Sequence, residues 1–137
     1  MNTYIIASTS NSEDLIQILS KKIKIKGIIG LSNKTKNKKK ISGFRYLKKI
    51  AKEESIKFIE VYSYDLSKEK DKISLSKLHI DYLIIAGWQR LLPGWLLEKV
   101  KICTIGCHGS SQGITKGRGR SPQNWSIILN EKFFYLS

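Results

Sequence analysis

Asp81-Tyr82-Leu83-Ile84-Ile85-Ala86-Gly87-Trp88 is the stretch on which the fold turns. Residues 82–86 form a near-continuous apolar run, without the polar alternation of a strand that keeps one face in water. A run of this kind is expected of a central parallel strand covered by helices on both faces. Gly87 and Trp88 end it, and Pro93-Gly94 restarts the chain, with Leu96, Leu97 and Val100 placed on a short helix. Residues 102–105 then read as the next buried strand, leading into Gly106-Cys107-His108-Gly109-Ser110.

Working toward the N-terminus, residues 4–7 are a short apolar run that reads as the first strand, and residues 25–29 and 57–61 read as the second and third. Between them, Ser10-x-x-Glu13 has the form of a capping box and opens a helix carrying Leu15, Ile16 and Leu19 on one face. Phe44, Leu47, Ile50 and Ala51 recur at helical spacing. The charged stretch 65–77 is expected to hold a short helix anchored by Ile73 and Leu78. Toward the C-terminus, residues 112–120 form a glycine-bearing loop. Ser121 suits an N-cap and Pro122 a first helical position, and Trp125, Ile128 and Leu129 form an apolar stripe expected in the core. Residues 133–136 look like a last strand. Alternating strands and helices predict an α/β fold, an open, mainly parallel, Rossmann-like sheet with helices on both faces. Right-handed crossovers would align the strand C-termini along one edge, bringing Gly87-Trp88 near His108.

Composition sets the outer limits. The 137 residues suit one domain, 41% of them are hydrophobic, and three are Trp, as in a globular chain. No apolar run approaches bilayer length, and Met1-Asn2-Thr3-Tyr4 lacks the pattern of a signal peptide, so no membrane association and a cytoplasmic location are expected. Lys and Arg number 25 against 11 Asp and Glu, a net charge of +14. That excess favours anionic partners such as nucleic acid or nucleotide-linked molecules, although lysines can equally decorate a solvated surface. Residues 34–40 are a lysine-rich loop, and with Arg118 and Arg120 they offer a basic RNA-binding alternative.

Cys103 and Cys107 would stand about 13 Å apart on one strand, beyond disulfide reach, and are read as packed thiols in a reducing compartment. They lack the second ligand pair of a zinc site, and no metal is expected.

No G-x-G-x-x-G follows the first strand, where Ser8-Thr9-Ser10 stands instead, and neither a P-loop nor a G-x-S-x-G elbow occurs. His108 is the group left with chemistry to offer. Its ring can donate, accept or carry charge near neutral pH, glycines at 106 and 109 permit close approach, and Ser110 can hydrogen-bond the ring or a ligand. Arg118 and Arg120 alternate with glycines ahead of a helix N-terminus. That arrangement suits a phosphate or carboxylate, and equally a solvated tight turn.

At residues 81–93 and 105–125 the sequence resembles the formyltransferases that use 10-formyltetrahydrofolate, a family spanning methionyl-tRNA, glycinamide ribonucleotide and sugar N-formyltransferases. Their pattern is a hydrophobic strand ending in a Gly-aromatic pair, then a His-x-Ser and an Arg-Gly loop. The resemblance implies transfer of a formyl group to a substrate amine through a tetrahedral intermediate, with His108 as the catalytic residue. It implies a folate pocket lined by Gly87, Trp88, Leu91 and Leu92, partly through backbone groups, and a substrate cleft shaped by Ser110, Arg118 and Gly119. The implied acceptor is an amine on a nucleotide-linked sugar, or methionyl-tRNA. Two departures stand out. Gly106 occupies the place of the family's catalytic Asn, and no Asp matching the family's downstream carboxylate precedes Ser137. The expectation is one formyltransferase-like domain over residues 1–137, incomplete at its C-terminus, with activity impaired by the missing groups or replaced by folate or anion binding alone.

Overall fold

A computed structural model describes residues 1–35, 38–111, 116 and 122–136. They form two compact units, Met1–Ile105 and Gly106–Ser137.

The first unit is a five-stranded parallel sheet in the order β3-β2-β1-β4-β5. Its strands are β1 (Thr3–Ala7), β2 (Ile25–Leu31), β3 (Lys57–Val61), β4 (Ile80–Ala86) and β5 (Val100–Ile105). The crossovers carry α1 (Asn11–Ser20), α2 (Lys48–Glu53), α3 (Glu69–Ser76) and α4 (Gly94–Leu97). The expected open parallel sheet is therefore present. β1 sits between β2 and β4, pairing Ala7 with Gly30 on one side and Ala86 on the other. The chain runs outward from β1 to β3, then returns to β4 beside β1 and runs the other way. β1 and β4 thus flank the point where strand order reverses, and open α/β sheets bind ligands beyond the strand C-termini at such a point.

Side chains alternate across the sheet into two cores. On one face Tyr4, Ile6, Ile29, Leu31, Ile59, Val61 and Leu83 pack with Leu75 of α3, Leu96 of α4 and Trp88. On the other, Ile5, Ala7, Ile28 and Ala86 pack with Ile16 of α1 and Ile50 and Ala51 of α2. Each fully buried Ile or Leu contributes about 1.5–3 kcal/mol of transfer free energy.

Several local expectations change. Ser10 makes no side-chain cap on α1, because its backbone is already helical at φ −58°, and Glu13 pairs with Arg45 at 3.3 Å instead. In α3 the inward apolar residue is Leu75, while Ile73 is half exposed. Val100 begins β5 and lies outside α4. β5 is a strand as expected but is not buried. Among the described strands it is a sheet edge, with Ile102 56% and Ile105 50% exposed. Cys103 on β5 is an exposed free thiol, and so is Cys107 beyond the strand's end, so neither is packed.

In the second unit, β6 (Gly109–Ser110) pairs antiparallel with β7 (Tyr135–Leu136), and α5 (Pro122–Ile128) lies between them in sequence. Pro122 opens α5 as read from the sequence, whereas its stripe is no core: Trp125, Ile128 and Leu129 are each more than half exposed. The last strand is shorter than residues 133–136 promised, because only Tyr135 and Leu136 find a partner strand.

Candidate functional site

Where strand order reverses, the end of β4 is tied to the turn after β1. Ser12 Oγ donates to the Ala86 carbonyl at 2.7 Å, and Ser8 Oγ donates to the Gly87 carbonyl at 2.9 Å. Thr9 Oγ1 and Ser12 Oγ share a further hydrogen bond at 3.1 Å. Where a dinucleotide fold has glycines that let a pyrophosphate approach, these hydroxyls occupy the space with side-chain bonds to the neighbouring strand. Gly87 has φ +65°, and a Cβ there would strike the Thr9 and Ser12 hydroxyls. Only glycine fits both the left-handed backbone and the space.

Residues 42–45, ahead of α2, close over the same turn. Ser10 donates its backbone N–H to the Gly43 carbonyl at 2.9 Å, and Arg45 donates its own to Ser8 at 2.9 Å. Gln89 reaches back through Nε2 to the Ser42 carbonyl at 3.1 Å.

The candidate cofactor residues fall into distinct environments. Trp88 is buried in the core beneath α3 and α4, where its ring meets Tyr64 edge-on at 4.9 Å. Its side chain is structural, and its indole Nε1 finds no hydrogen-bond partner among the described residues. Leu91 points into solvent, 95% exposed, and Leu92 packs partly against the core. Among the described residues, the backbone N–H and C=O groups of Arg90, Leu91 and Leu92 take no part in any hydrogen bond. The next bond along the chain is Leu96 N–H to the Pro93 carbonyl at 3.0 Å. A strip of three peptide units, fixed at both ends and open along its length, is thus presented beyond β4. It can pair with the edge of a flat heterocycle carrying both donors and acceptors.

In the second unit, His108 is partly buried, and its Nε2 has no hydrogen-bond partner among the described residues. An orphaned buried ring nitrogen is costly to leave unmade, and it is the kind of group a ligand or water completes. Gly109 is crowded by protein: a Cβ there would lie 2.5 Å from the Phe134 ring. Ser110 is buried and donates from Oγ to the Lys116 carbonyl at 3.0 Å. Arg118 and Gly119, read as substrate-binding, lie outside the described residues, as do Arg120 and Ser121. Among the described residues no helix is long and apolar enough to cross a membrane, and no group of three or more His, Cys, Asp or Glu could hold a metal ion.

Sequence reading missed Ser8, Ser12 and Tyr64. Hydroxyls right after the first strand are a faint sign of such ties, and nothing in the sequence marks Tyr64.

No model of a known protein family matches the chain. A methionyl-tRNA formyltransferase of Clostridium novyi is 30% identical over 109 residues, 79% of this chain and 34% of that protein. One of Clostridium tetani is 29% identical over 119 residues, 86% of this chain and 37% of that protein. The chain thus spans about a third of the length of these relatives. Among solved structures, a phosphoribosylglycinamide formyltransferase from Coxiella burnetii aligns with all of this chain and 64% of its own, at TM-score 0.71 and 17% identity. One from Anaplasma phagocytophilum covers 99% of this chain and 63% of its own, at TM-score 0.69 and 19% identity. By sequence the chain is a relative of the methionyl-tRNA formyltransferases over part of their length, and its fold is that of the formyltransferases.

Proposed function

We propose that the chain takes part in transferring a formyl group from 10-formyltetrahydrofolate to an amine. The observation that carries this reading is the open strip at residues 90–92, at the strand-order reversal of a formyltransferase fold. The residues present fit a folate. A pterin edge needs alternating donors and acceptors, and unpaired backbone N–H and C=O groups supply them in sequence. Gly87 turns the chain into the strip, Trp88 anchors it from below, and Leu91 and Leu92 contribute mainly their peptide groups.

When bound, the folate supplies the formyl carbon. The role of His108 is to accept the proton released by the attacking amine, or to stabilise the negative charge that grows on oxygen. Gly106 gives no carboxamide to share that work. Loss of one such donor lowers rate by about a hundredfold or more, so slow turnover is expected. Ser110, with Arg118 and Gly119, is assigned to the acceptor side.

Methionyl-tRNA is the acceptor best supported, since the relatives carry that name and a net charge of +14 suits a polyanion. An amine on a nucleotide-linked sugar is the other candidate. The soluble, cytoplasmic setting of such substrates fits this reading. A second reading, folate binding without turnover, is favoured by Gly106.

Incubation with 10-formyltetrahydrofolate and methionyl-tRNA tests the proposal. Formylmethionyl-tRNA should accumulate, and His108→Ala should abolish most of it. No product with either acceptor, together with retained folate binding, would leave the binding module. Neither product nor binding would remove both readings.

A further inference from the structure

We infer that Tyr64 is the positioning residue for the open strip at residues 90–92, an assignment that rests on the folate reading above. Tyr64 follows β3, on an element separate from the strip, yet it meets three successive residues at the strip's start, Trp88, Gln89 and Arg90. Its hydroxyl accepts the backbone N–H of Gln89 at 2.8 Å. Its ring meets Trp88 edge-on at 4.9 Å, with the planes at 66°. The Arg90 guanidinium stands 5.9 Å from the ring centre. Ser8 Oγ lies 3.4 Å from the Tyr64 hydroxyl and 2.9 Å from the Gly87 carbonyl. Ser8 has one proton, and the shorter contact takes it, so Gly87 is held by Ser8 while Gln89 is held by Tyr64.

Gln89 is exposed, and among the described residues the Tyr64 hydroxyl is what holds its amide proton. Among the described residues that bond is also the last backbone tether before the strip, and the next is the Pro93 carbonyl. Removing it lengthens the untethered backbone at the end where a ligand would dock, and ordering that backbone then opposes binding. The phenol separates the two jobs: the ring packs Trp88, and the oxygen fixes Gln89. Tyr64→Phe removes only the second.

The experiment compares wild type with Tyr64→Phe in two measurements: amide hydrogen exchange by NMR, and calorimetry with 5-formyltetrahydrofolate, a stable folate. The expected result is exchange at Gln89 faster by about tenfold or more, unchanged exchange within β4 at Leu83 and Ile85, and folate affinity lower by three- to tenfold. Unchanged exchange at Gln89 would overturn the inference whatever the affinity. Faster exchange at Gln89 with unchanged folate affinity would also overturn it, leaving Tyr64 a packing residue. If wild type binds no folate, the folate reading fails, and the Gln89 exchange alone then decides whether Tyr64 holds this loop.

Discussion

A methyl group on Gly87 would have to be carried at φ +65° and would meet Ser12 Oγ at 2.7 Å, with the Thr9 hydroxyl closer still. The left-handed backbone costs about 1–2 kcal/mol for a residue with a Cβ, and the clash adds to it. Gly87→Ala should therefore lose about 2 kcal/mol or more by denaturant unfolding, and Thr9→Ala should partly restore the double variant by removing the hydroxyl that stands closest to the new methyl. Asp71 is a second single-residue determinant. It is fully buried, and its carboxylate accepts the Tyr62 and Ser63 N–H groups at 2.8 Å each, and the Ser63 hydroxyl. Asp71→Ala strands these donors and should cost about 3 kcal/mol in the same measurement. A glycine ending the β4 run was legible in the sequence, since an apolar strand that stops at Gly-Trp must turn there. The hydroxyl ties were not, because Ser8 and Ser12 meet Gly87 and Ala86 across 79 and 74 residues of chain. Trp88, expected from the resemblance to line a folate pocket, has its ring in the core, since only its three-dimensional neighbours, Tyr64 among them, reveal where the ring points.

Among the elements, β3 has the bounds expected from the sequence, because Lys57 to Val61 is short and sets Phe58, Ile59 and Val61 among charged residues. Of the two anchors expected for α3, Leu78 packs against the core and Ile73 does not. Asp71 and Leu75 stand four residues apart and share a face, so burying the carboxylate against residues 62 and 63 turns Ile73 outward. Apolar spacing alone cannot foresee a helix phased by a buried acid. β5 was expected to be buried because its sequence is apolar, yet a strand's burial depends on what pairs with its far side, and among the described strands β5 is an edge. Exposed Ile102 and Ile105 on such an edge favour self-association, with Lys101 as a partial guard. Ile102→Lys should lower the associated fraction in sedimentation velocity by at least twofold without changing the far-UV circular dichroism. An unchanged association profile would show that this edge is not the sticky surface.

At the scale of the molecule, fold and chemistry were legible to different depths. The strand–helix rhythm foretold the parallel sheet, since each crossover needs its own apolar face, while the substrate side rests on His108, Ser110 and a loop whose Arg118 and Gly119 lie outside the described residues. Stability should also carry one distinctive acid response. Burial raises the Glu60 pKa, but hydrogen bonds from Ser32, Tyr46 and Tyr62 and the charge of Lys48 outweigh it and hold the carboxyl below its ordinary 4.5. A lowered folded pKa means the unfolded chain takes up the proton first. The contribution is therefore full above about pH 4.5 and is lost as pH falls through the lower folded value. Thermal midpoints of wild type and Glu60→Gln should differ at pH 7 and converge toward pH 3. The central claim, that the peptide strip beyond β4 receives a folate, is tested most directly by NMR titration of the intact chain with 5-formyltetrahydrofolate. The account predicts saturable shifts at the amides of Arg90, Leu91 and Leu92. Saturable binding that leaves these three amides unmoved, or no binding at all, would contradict it.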